Sequence, residues 1–229
     1  MNIVLAGYGK MGKMIESIVL REQHDRIVLR VTSANKGELQ HLKTYQADVV
    51  IDFSKPDVIL ENINAYINQK IPAVIGTTGW YHQINEIHEQ SQFHQASIVW
   101  GSNFSIGVNL FFRINQYAAT LLKHYPEYHI NITETHHKNK MDKPSGTAQI
   151  LSHLIQQNLN NSLNIPVESI RDENSVGRHS ARYHSTIDEI ELIHNAHNRE
   201  GFAVGSLKAA SWIIRHQGFY NFADIFEQL

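Results

Sequence analysis

The sequence predicts an α/β fold, with a Rossmann-like doubly wound parallel sheet and a second, smaller α+β domain. Short apolar runs alternate with amphipathic helical patterns up to about residue 100, which is typical of a parallel sheet covered by helices. After a long helical pattern at residues 106–123, alternating polar and apolar residues indicate strands with one exposed face. We therefore expect a first domain at residues 1–104, on which residues 205–229 pack back, and a second domain at residues 105–204.

The first strand pattern, at residues 3–6, runs directly into a glycine-rich turn with the spacing G-x-G-x-x-G. An amphipathic helical pattern follows, so strand, turn and helix occur in the order that a dinucleotide-binding motif requires. In such a motif the first glycine permits a tight turn, the second lets a pyrophosphate approach the backbone, and the third lets helix and strand pack closely. The alternative is a glycine-rich turn that binds no ligand. The residues of this turn are Gly7, Tyr8, Gly9, Lys10, Met11 and Gly12.

The second strand pattern, at residues 27–32, is not followed by the acidic residue with which NAD-specific sites bind the ribose 2′-hydroxyl. The chain continues instead with small and amide side chains and then Lys36. A 2′-phosphate would meet no negative charge there, and Lys36 or Arg30 could attract it. We therefore expect the protein to accept NADPH as well as NADH.

Strand patterns recur at residues 48–53, 73–75 and 97–100, and the last two end in loops of small and polar residues. Because parallel strands place their carboxyl ends at one edge of the sheet, we expect these loops, at residues 76–79 and 101–105, to line the cofactor crevice. The repeated alternation of strand and helix supports the doubly wound sheet.

Residues 134–148 concentrate titratable side chains beside a predicted helix start, with two histidines, two acids and three lysines. The strand pattern before them ends near Glu134, and a helix follows with Ser145 as its N-cap. The backbone amides of Gly146 and Thr147, at the start of that helix, would point at an anion. The sequence therefore predicts an anion site next to the titratable groups.

His136 and His137 can exchange protons near neutral pH, and Lys140 supplies a full positive charge. Together with the helix start they fit a small polyanionic substrate that must be protonated. The alternative is a polar loop with a favourable helix cap. We favour the functional interpretation, because solvated loops rarely concentrate titratable groups beside an anion site. The adjacent histidines point to opposite sides of a strand, so we expect no metal ion.

Composition excludes several classes of function. The 229-residue chain has a formal net charge of −2, which gives no electrostatic reason to expect a nucleic-acid or membrane partner. It has no cysteine, so disulfide bonds, thiolate metal sites and a cysteine nucleophile are impossible. The apolar run at the amino terminus is too short for a signal sequence, and no apolar segment reaches the roughly 20 residues of a membrane span. We therefore expect a cytoplasmic protein.

The chain resembles the 4-hydroxy-tetrahydrodipicolinate reductase family, historically called dihydrodipicolinate reductases. That family carries the pattern E-x-H-H-x-x-K-x-D-x-P-S-G-T, and every fixed position of it is present from Glu134 to Thr147. Other family landmarks occur in the expected order, so that the resemblance covers nearly the whole chain. They lie at residues 7–12, 51–53, 76–79, 103–109 and 193–205.

The resemblance implies hydride transfer from NADPH or NADH to a cyclic unsaturated dicarboxylate, in the diaminopimelate route to lysine. It implies that His136 is the proton donor and that Lys140 is its partner acid and a substrate contact. Further substrate contacts are implied at His137, Gly146 and Thr147. It also implies a homotetramer assembled through sheets of the second domain. The implied cofactor contacts, besides the glycine-rich turn, are Gly76, Thr77, Thr78, Gly101, Ser102, Asn103 and Phe104.

The chain departs from the family pattern before its late strand. The family has the glycine-rich stretch R-x-G-x-x-G-E-H there, whereas residues 171–179 lack a glycine and the glutamate and keep Arg171, Gly177 and His179. Two alternatives stay open, namely a related NAD(P)-dependent reductase of another small acid and a dinucleotide sensor without catalysis. The sensor predicts loss of the proton donor and its partner lysine, and the chain keeps both.

Overall fold

The computed structural model describes most of the chain and divides it into two units. The described ranges are residues 1–138, 140–159 and 164–229. The first unit comprises Met1–Ile106 with Glu200–Leu229, and the second comprises Gly107–Arg199. The part of the chain that returns to the first unit begins at Glu200, with the last long helix, and not at the predicted residue 205. The functional roles that the sequence assigns to two domains stay predictions.

Strands and helices alternate through most of the first unit, as expected from the sequence. Within the described residues the strands, in chain order, are β1 (Asn2–Ala6), β2 (Arg26–Val31), β3 (Val49–Asp52), β4 (Ala73–Ile75), β5 (Ser97–Trp100), β6 (His129–His136), β7 (Val167–Arg171), β8 (Gly177–His184), β9 (Glu189–Ala196) and β10 (Gly218–Asn221). The α-helices are α1 (Lys10–Glu22), α2 (Ile59–Gln69), α3 (Ile84–His94), α4 (Ile106–Leu122), α5 (Gly146–Asn158), α6 (Glu200–Ile213) and α7 (Phe222–Ile225). Helices of the 3-10 type lie at Lys36–Tyr45, Tyr81–Gln83 and Phe226–Gln228.

The first unit is built on a parallel sheet with the strand order β10-β5-β4-β3-β1-β2. Both faces of its central strands are buried, because Ile3 and Leu5 of β1 pack with α1 on one side and Val4 packs with α2 on the other. The strand order reverses between β1 and β3, which is where doubly wound folds bind their ligands. The predicted fold class is confirmed.

The end of the chain returns to this sheet. β10 pairs in parallel with β5, with Phe219 opposite Ile98, and forms an edge of the sheet. α6 contributes Ala203 and Ile213 to the same apolar cluster as β1. Of the helices in the described ranges, none has the length and apolar character that crossing a membrane needs.

The second unit contains a mixed sheet with the order β7-β6-β8-β9. β6 pairs in parallel with β7 and antiparallel with β8, and β8 pairs antiparallel with β9. One face packs against α4 and α5 through a core that includes Phe111, Leu151 and Tyr183. The predicted smaller α+β architecture is confirmed.

Strand β7 is not apparent from the sequence. Its half-buried positions are Val167, Ser169 and Arg171, and its exposed positions are Glu168 and Ile170. Polar residues therefore lie on the inward side and an isoleucine on the outward side, which breaks the alternation of apolar and polar residues that indicates a strand. This edge strand forms because its backbone pairs with β6, and no local apolar pattern predicts it.

Candidate active site

A cavity of about 460 Å³ opens at the carboxyl ends of β1, β2 and β3. Gly7, Tyr8 and Gly9 line it, together with Thr32 at the end of β2 and Ser54 after β3. This is the edge of the sheet at which the strand order reverses, as expected for a dinucleotide site. The remaining residues of the glycine-rich turn, Lys10, Met11 and Gly12, form the first turn of α1.

The glycines of the turn have different physical roles. Gly7 has a φ of +85°, and a Cβ atom there would lie 2.3 Å from the carbonyl oxygen of Phe53. A Cβ atom on Gly12 would lie 2.7 Å from the carbonyl oxygen of Gly7. By contrast, a Cβ atom on Gly9 would meet no atom within 4 Å. Packing therefore requires the first and third glycines, whereas the second faces open space where a pyrophosphate could approach the helix start.

The structure separates the two basic residues that the sequence offers for a 2′-phosphate. Arg30 is paired with Glu16, with 2.6 Å from its Nε to Oε1, and the Tyr8 hydroxyl donates to the same carboxylate. The hydrogen bond from Arg30 holds the pKa of Glu16 below its ordinary value. Lys36 lines the cavity and is 65% exposed, with the nearest acid, Glu61, at 3.9 Å. Lys36 is therefore the more available cation.

The other two loops that are predicted to contact the cofactor follow β4 and β5, whose carboxyl ends lie at the same edge of the sheet. Gly76 and Thr77 are tied to β3, whereas Thr78 is exposed. After β5, Gly101 and Phe104 pack against Phe222, and Phe104 is 1% exposed. Asn103 accepts a hydrogen bond from the backbone of Ser105, while Ser102 is exposed. Among the predicted contacts in these two loops, Thr78 and Ser102 are thus the ones whose side chains face outward.

In the second unit, β6 places Glu134 and His136 on the same buried face of the sheet. Glu134 is 0% exposed, and its carboxylate is hydrogen-bonded to Nδ1 of His136. Nη1 of Arg171 donates to the other oxygen of Glu134 at 2.9 Å. Burial opposes ionisation of Glu134, but the polar side chains around it, those of Ser169, Arg171 and His136, more than offset it, so its pKa lies below the ordinary value. The carboxylate therefore stays charged and orients the His136 ring.

His136 is 8% exposed, and burial lowers its pKa although the Glu134 carboxylate acts in the opposite direction. The positive charges of Lys140 and Arg171 lower the pKa further. The neutral ring is thus favoured, and with Nδ1 directed at Glu134 the other nitrogen, Nε2, is the one that can exchange a proton. A Cβ atom on Gly177 would lie 3.3 Å from Nε2, so the glycine leaves room beside this nitrogen.

His179 joins this group from β8, opposite Glu134 in the register of the sheet. Its ring lies 5.0 Å from that of His136, edge to face, and its Nε2 is 3.2 Å from Oγ of Ser145. The same hydroxyl accepts from the amide of Ala148 and caps α5, which confirms the predicted N-cap. Sequence reasoning did not select His179 or Arg171 as site residues. Their retention in the family pattern was the available signal.

The anion site predicted from the sequence would lie at the start of α5, and it stays a prediction. A Cβ atom on Gly146 would meet nothing within 4 Å, so the space beside its Cα atom is open. Lys140 lies 2.9 Å from Asp142. The hydrogen bond from Lys140, with a contribution from the Gly146 amide, lowers the pKa of Asp142. Nδ1 of His137 is buried and has no hydrogen-bond partner among the described residues.

Ligand atoms of Glu134, His136 and His179 lie within 4.8 Å of one another, a spacing that could hold a metal ion. This set differs from the adjacent histidines considered in the sequence. Glu134, however, is already paired with Arg171, and Lys140 adds further positive charge near His136. The positive charges of these residues oppose the binding of a metal ion electrostatically. They favour the expectation that no metal binds, which stays a prediction.

Comparison with known proteins identifies the family. The profile described as "Dihydrodipicolinate reductase, N-terminus" matches residues 1–104, and the profile described as "Dihydrodipicolinate reductase, C-terminus" matches residues 107–226. The chain belongs to the dihydrodipicolinate reductase family. The resemblance recognised in the sequence is therefore confirmed.

Individual members of the family align with the chain from end to end. The 4-hydroxy-tetrahydrodipicolinate reductase of Christiangramia forsetii is 36% identical, over 100% of this chain and 99% of that protein. The reductase of the same name from Alkaliphilus oremlandii is 31% identical, over 98% of each chain. The structure of a dipicolinate-bound dihydrodipicolinate reductase from Paenisporosarcina sp. TG-14 has a TM-score of 0.82 at 21% identity, over 98% of this chain and 99% of that chain. It therefore has the same fold.

The burial of His179 predicts a loss of stability in acid. Burial, with a contribution from His136, lowers the pKa of His179 from its ordinary 6.5 to about 4. Between these values the unfolded chain binds a proton at this residue and the folded chain does not, so stability decreases as the pH falls. The loss due to His179 is expected to be roughly 3 kcal/mol.

Urea unfolding at neutral pH and near pH 4 measures this loss in the wild type and in His179→Gln, which cannot titrate. We expect the variant to be less sensitive to acid by about that amount. His153→Gln, at an exposed histidine of α5, is the control and should retain the wild-type pH dependence. Equal acid sensitivity in the wild type and His179→Gln would contradict the assignment.

Proposed function

We propose that this protein reduces 4-hydroxy-tetrahydrodipicolinate with NAD(P)H, as a cytoplasmic step of the diaminopimelate route to lysine. The proposal rests above all on the buried group of Glu134, His136 and His179 beside the capped start of α5. It is also supported by the alignment of nearly the whole chain with proteins named 4-hydroxy-tetrahydrodipicolinate reductase. When bound, NAD(P)H supplies the hydride, so the protein itself must hold a dicarboxylate and deliver one proton.

His136 is the proposed proton donor. In the protonated ring, Nδ1–H donates to Glu134, and Nε2 carries the proton that the substrate ring takes up. The Glu134 carboxylate favours the imidazolium electrostatically, while burial favours the return to the neutral ring. Because burial outweighs the carboxylate and lowers the pKa of His136, its imidazolium is a stronger acid than that of an ordinary histidine, which favours proton donation. The open space left by Gly177 beside Nε2 supports this role.

The substrate dianion is proposed to bind at the start of α5. The amides of Gly146 and Thr147 and the charge of Lys140 are suited to one carboxylate. His137 is proposed as a further contact, because its buried Nδ1 has no hydrogen-bond partner within the described residues. Lys140 is paired with Asp142, and a substrate carboxylate would compete with Asp142 for that ammonium group.

Both reduced nicotinamide cofactors are proposed to serve. The glycine-rich turn and its cavity are suited to the pyrophosphate, and Lys36 is exposed at the cavity for the 2′-phosphate of NADPH. Its distance of 3.9 Å from Glu61 is long for an ion pair between two exposed groups, so little free energy holds Lys36 in that position. The remaining proposed cofactor contacts come from the loops at residues 76–78 and 101–104.

The decisive assay is oxidation of NADPH and NADH by the purified protein, with substrate generated in place by the preceding synthase from pyruvate and aspartate semialdehyde. We expect synthase-dependent oxidation of both cofactors. Lys36→Ala should lower kcat/KM for NADPH by roughly tenfold and leave that for NADH near the wild-type value, because only NADPH carries the 2′-phosphate. No oxidation, in a protein that still binds NAD(P)H, would favour a related reductase or a sensor.

Variants of the proton donor and the lysine separate their two roles. His136→Gln should lower kcat by about 10²- to 10⁴-fold and leave the Kd for NADPH unchanged. Lys140→Ala should raise the KM for the substrate as well as lower kcat. Lys138→Ala is the control, because Lys138 is 63% exposed and pairs with Glu173. Wild-type turnover in His136→Gln would remove His136 as the proton donor.

The outer face of the sheet in the second unit is proposed to assemble four chains. Within one chain this face leaves Ile170 and Ile193 exposed by 41% and 49%. A native mass near four times 26.2 kDa is expected. Ile193→Lys should shift the protein to smaller species, whereas a monomeric wild type would contradict the proposal.

A further inference from the structure

Asp52, at the end of β3, is a fully buried carboxylate whose two oxygens accept four hydrogen bonds. Oδ1 accepts from the backbone amide of Ser54 at 2.8 Å and from Oγ1 of Thr77 at 3.0 Å. Oδ2 accepts from Nδ2 of Asn62 at 2.9 Å and from the hydroxyl of Tyr66 at 2.7 Å. All four donors are neutral. The charge is therefore stabilised by hydrogen bonds alone, and each donor is held in place by the cost of leaving a buried carboxylate unsatisfied.

The donors come from different segments around the cofactor cavity. Ser54 and Asn62 line the cavity itself, whereas Thr77 belongs to the loop after β4 that is proposed to hold the cofactor. The two oxygens also differ. Oδ1 joins the loops after β3 and β4, and Oδ2 binds only side chains of α2.

The loop after β4 is held by contacts with β3, with Phe53 and within the loop itself. The amide of Gly76 donates to the carbonyl oxygen of Asp52 at 2.8 Å, next to the bond from Thr77. Nε1 of Trp80 donates to the carbonyl oxygen of Thr77 at 2.8 Å. A Cβ atom on Gly76 would lie 2.1 Å from the ring of Phe53, which also lines the cavity. These contacts turn Thr77 inward and leave Thr78 exposed.

We propose that Asp52 is a positioning residue for NAD(P)H binding, which acts through the Thr77 hydroxyl to fix the loop at residues 76–79. The inference rests on the proposed function, since it assumes that this loop contacts the cofactor. Asp52 itself is buried and does not line the cavity. Its effect is to hold the loop backbone ready before the cofactor arrives, which spares the binding step the cost of ordering that loop.

Tyr66 provides a matched control. Like Thr77, it donates a hydroxyl proton to Asp52, but to the other oxygen, and it lies in α2 away from the cavity lining. Thr77→Val and Tyr66→Phe each remove one hydroxyl donor and keep nearly the same side-chain shape. A purely structural role for Asp52 predicts that both variants affect the protein in the same way.

The experiment measures the Kd for NADPH by titration, the KM for the dicarboxylate substrate, and the thermal midpoint of each variant. We expect both variants to lower the midpoint. Thr77→Val should also raise the Kd for NADPH by roughly tenfold without a matching rise in the substrate KM, and Tyr66→Phe should change that Kd by less than about twofold. Equal changes in Kd in the two variants, or no change in Thr77→Val, would overturn the inference.

Thr77→Ser restores the hydroxyl and serves as a rescue variant. It should bind NADPH with nearly the wild-type Kd, and a Kd as weak as that of Thr77→Val would assign the effect to the methyl group instead. Thr77→Ala replaces the valine variant should the latter not fold. Failure of the wild type to bind either NADPH or NADH would overturn the proposed function itself, whereas normal binding by all variants would overturn only the role of Asp52.

Discussion

A buried carboxylate lies in each unit, and its charge determines which side chains must surround it. Asp52 in the first unit and Glu134 in the second are both 0% exposed. Removing such a group from water is costly unless both of its oxygens receive hydrogen bonds. Asp52 is satisfied by neutral donors, whereas Glu134 is satisfied by Arg171 and His136. The same constraint therefore produces two kinds of environment.

The chemistry of the donors gives these two environments different uses. The hydroxyl and amide donors around Asp52 keep the same protonation across the physiological range, so they maintain one geometry. The ring that binds Glu134 can gain or lose a proton, and Glu134 stabilises its charged form. The first arrangement suits the rigid support of cofactor loops. The second suits proton exchange, with Arg171 keeping the carboxylate ionised throughout.

Structural features that depend only on short stretches of sequence could be predicted. The buried strands, the glycine-rich turn and the Ser145 cap each depend on neighbouring residues, and the structure has all of them. Arg171 and His179 could not be placed in the same way, because their contacts with Glu134 and His136 depend on the register between β6 and strands far along the chain. The inward orientation of the Thr77 side chain could not be predicted either, because the carboxylate that accepts its hydrogen bond, that of Asp52, lies on another strand.

The departure from the family pattern at residues 171–179 can now be interpreted from the alternation along β8. Side chains of successive residues point to opposite faces of a strand, so His179 faces the buried group and Arg178 faces outward. Arg178 lies 3.9 Å from Glu191 of β9, both partly exposed. Gly177, which lies beside Nε2 of His136, is retained. The substitution of the family's glutamate by Arg178 therefore changes the charge of the outer face, where subunits are proposed to meet, and leaves the residues around His136 intact.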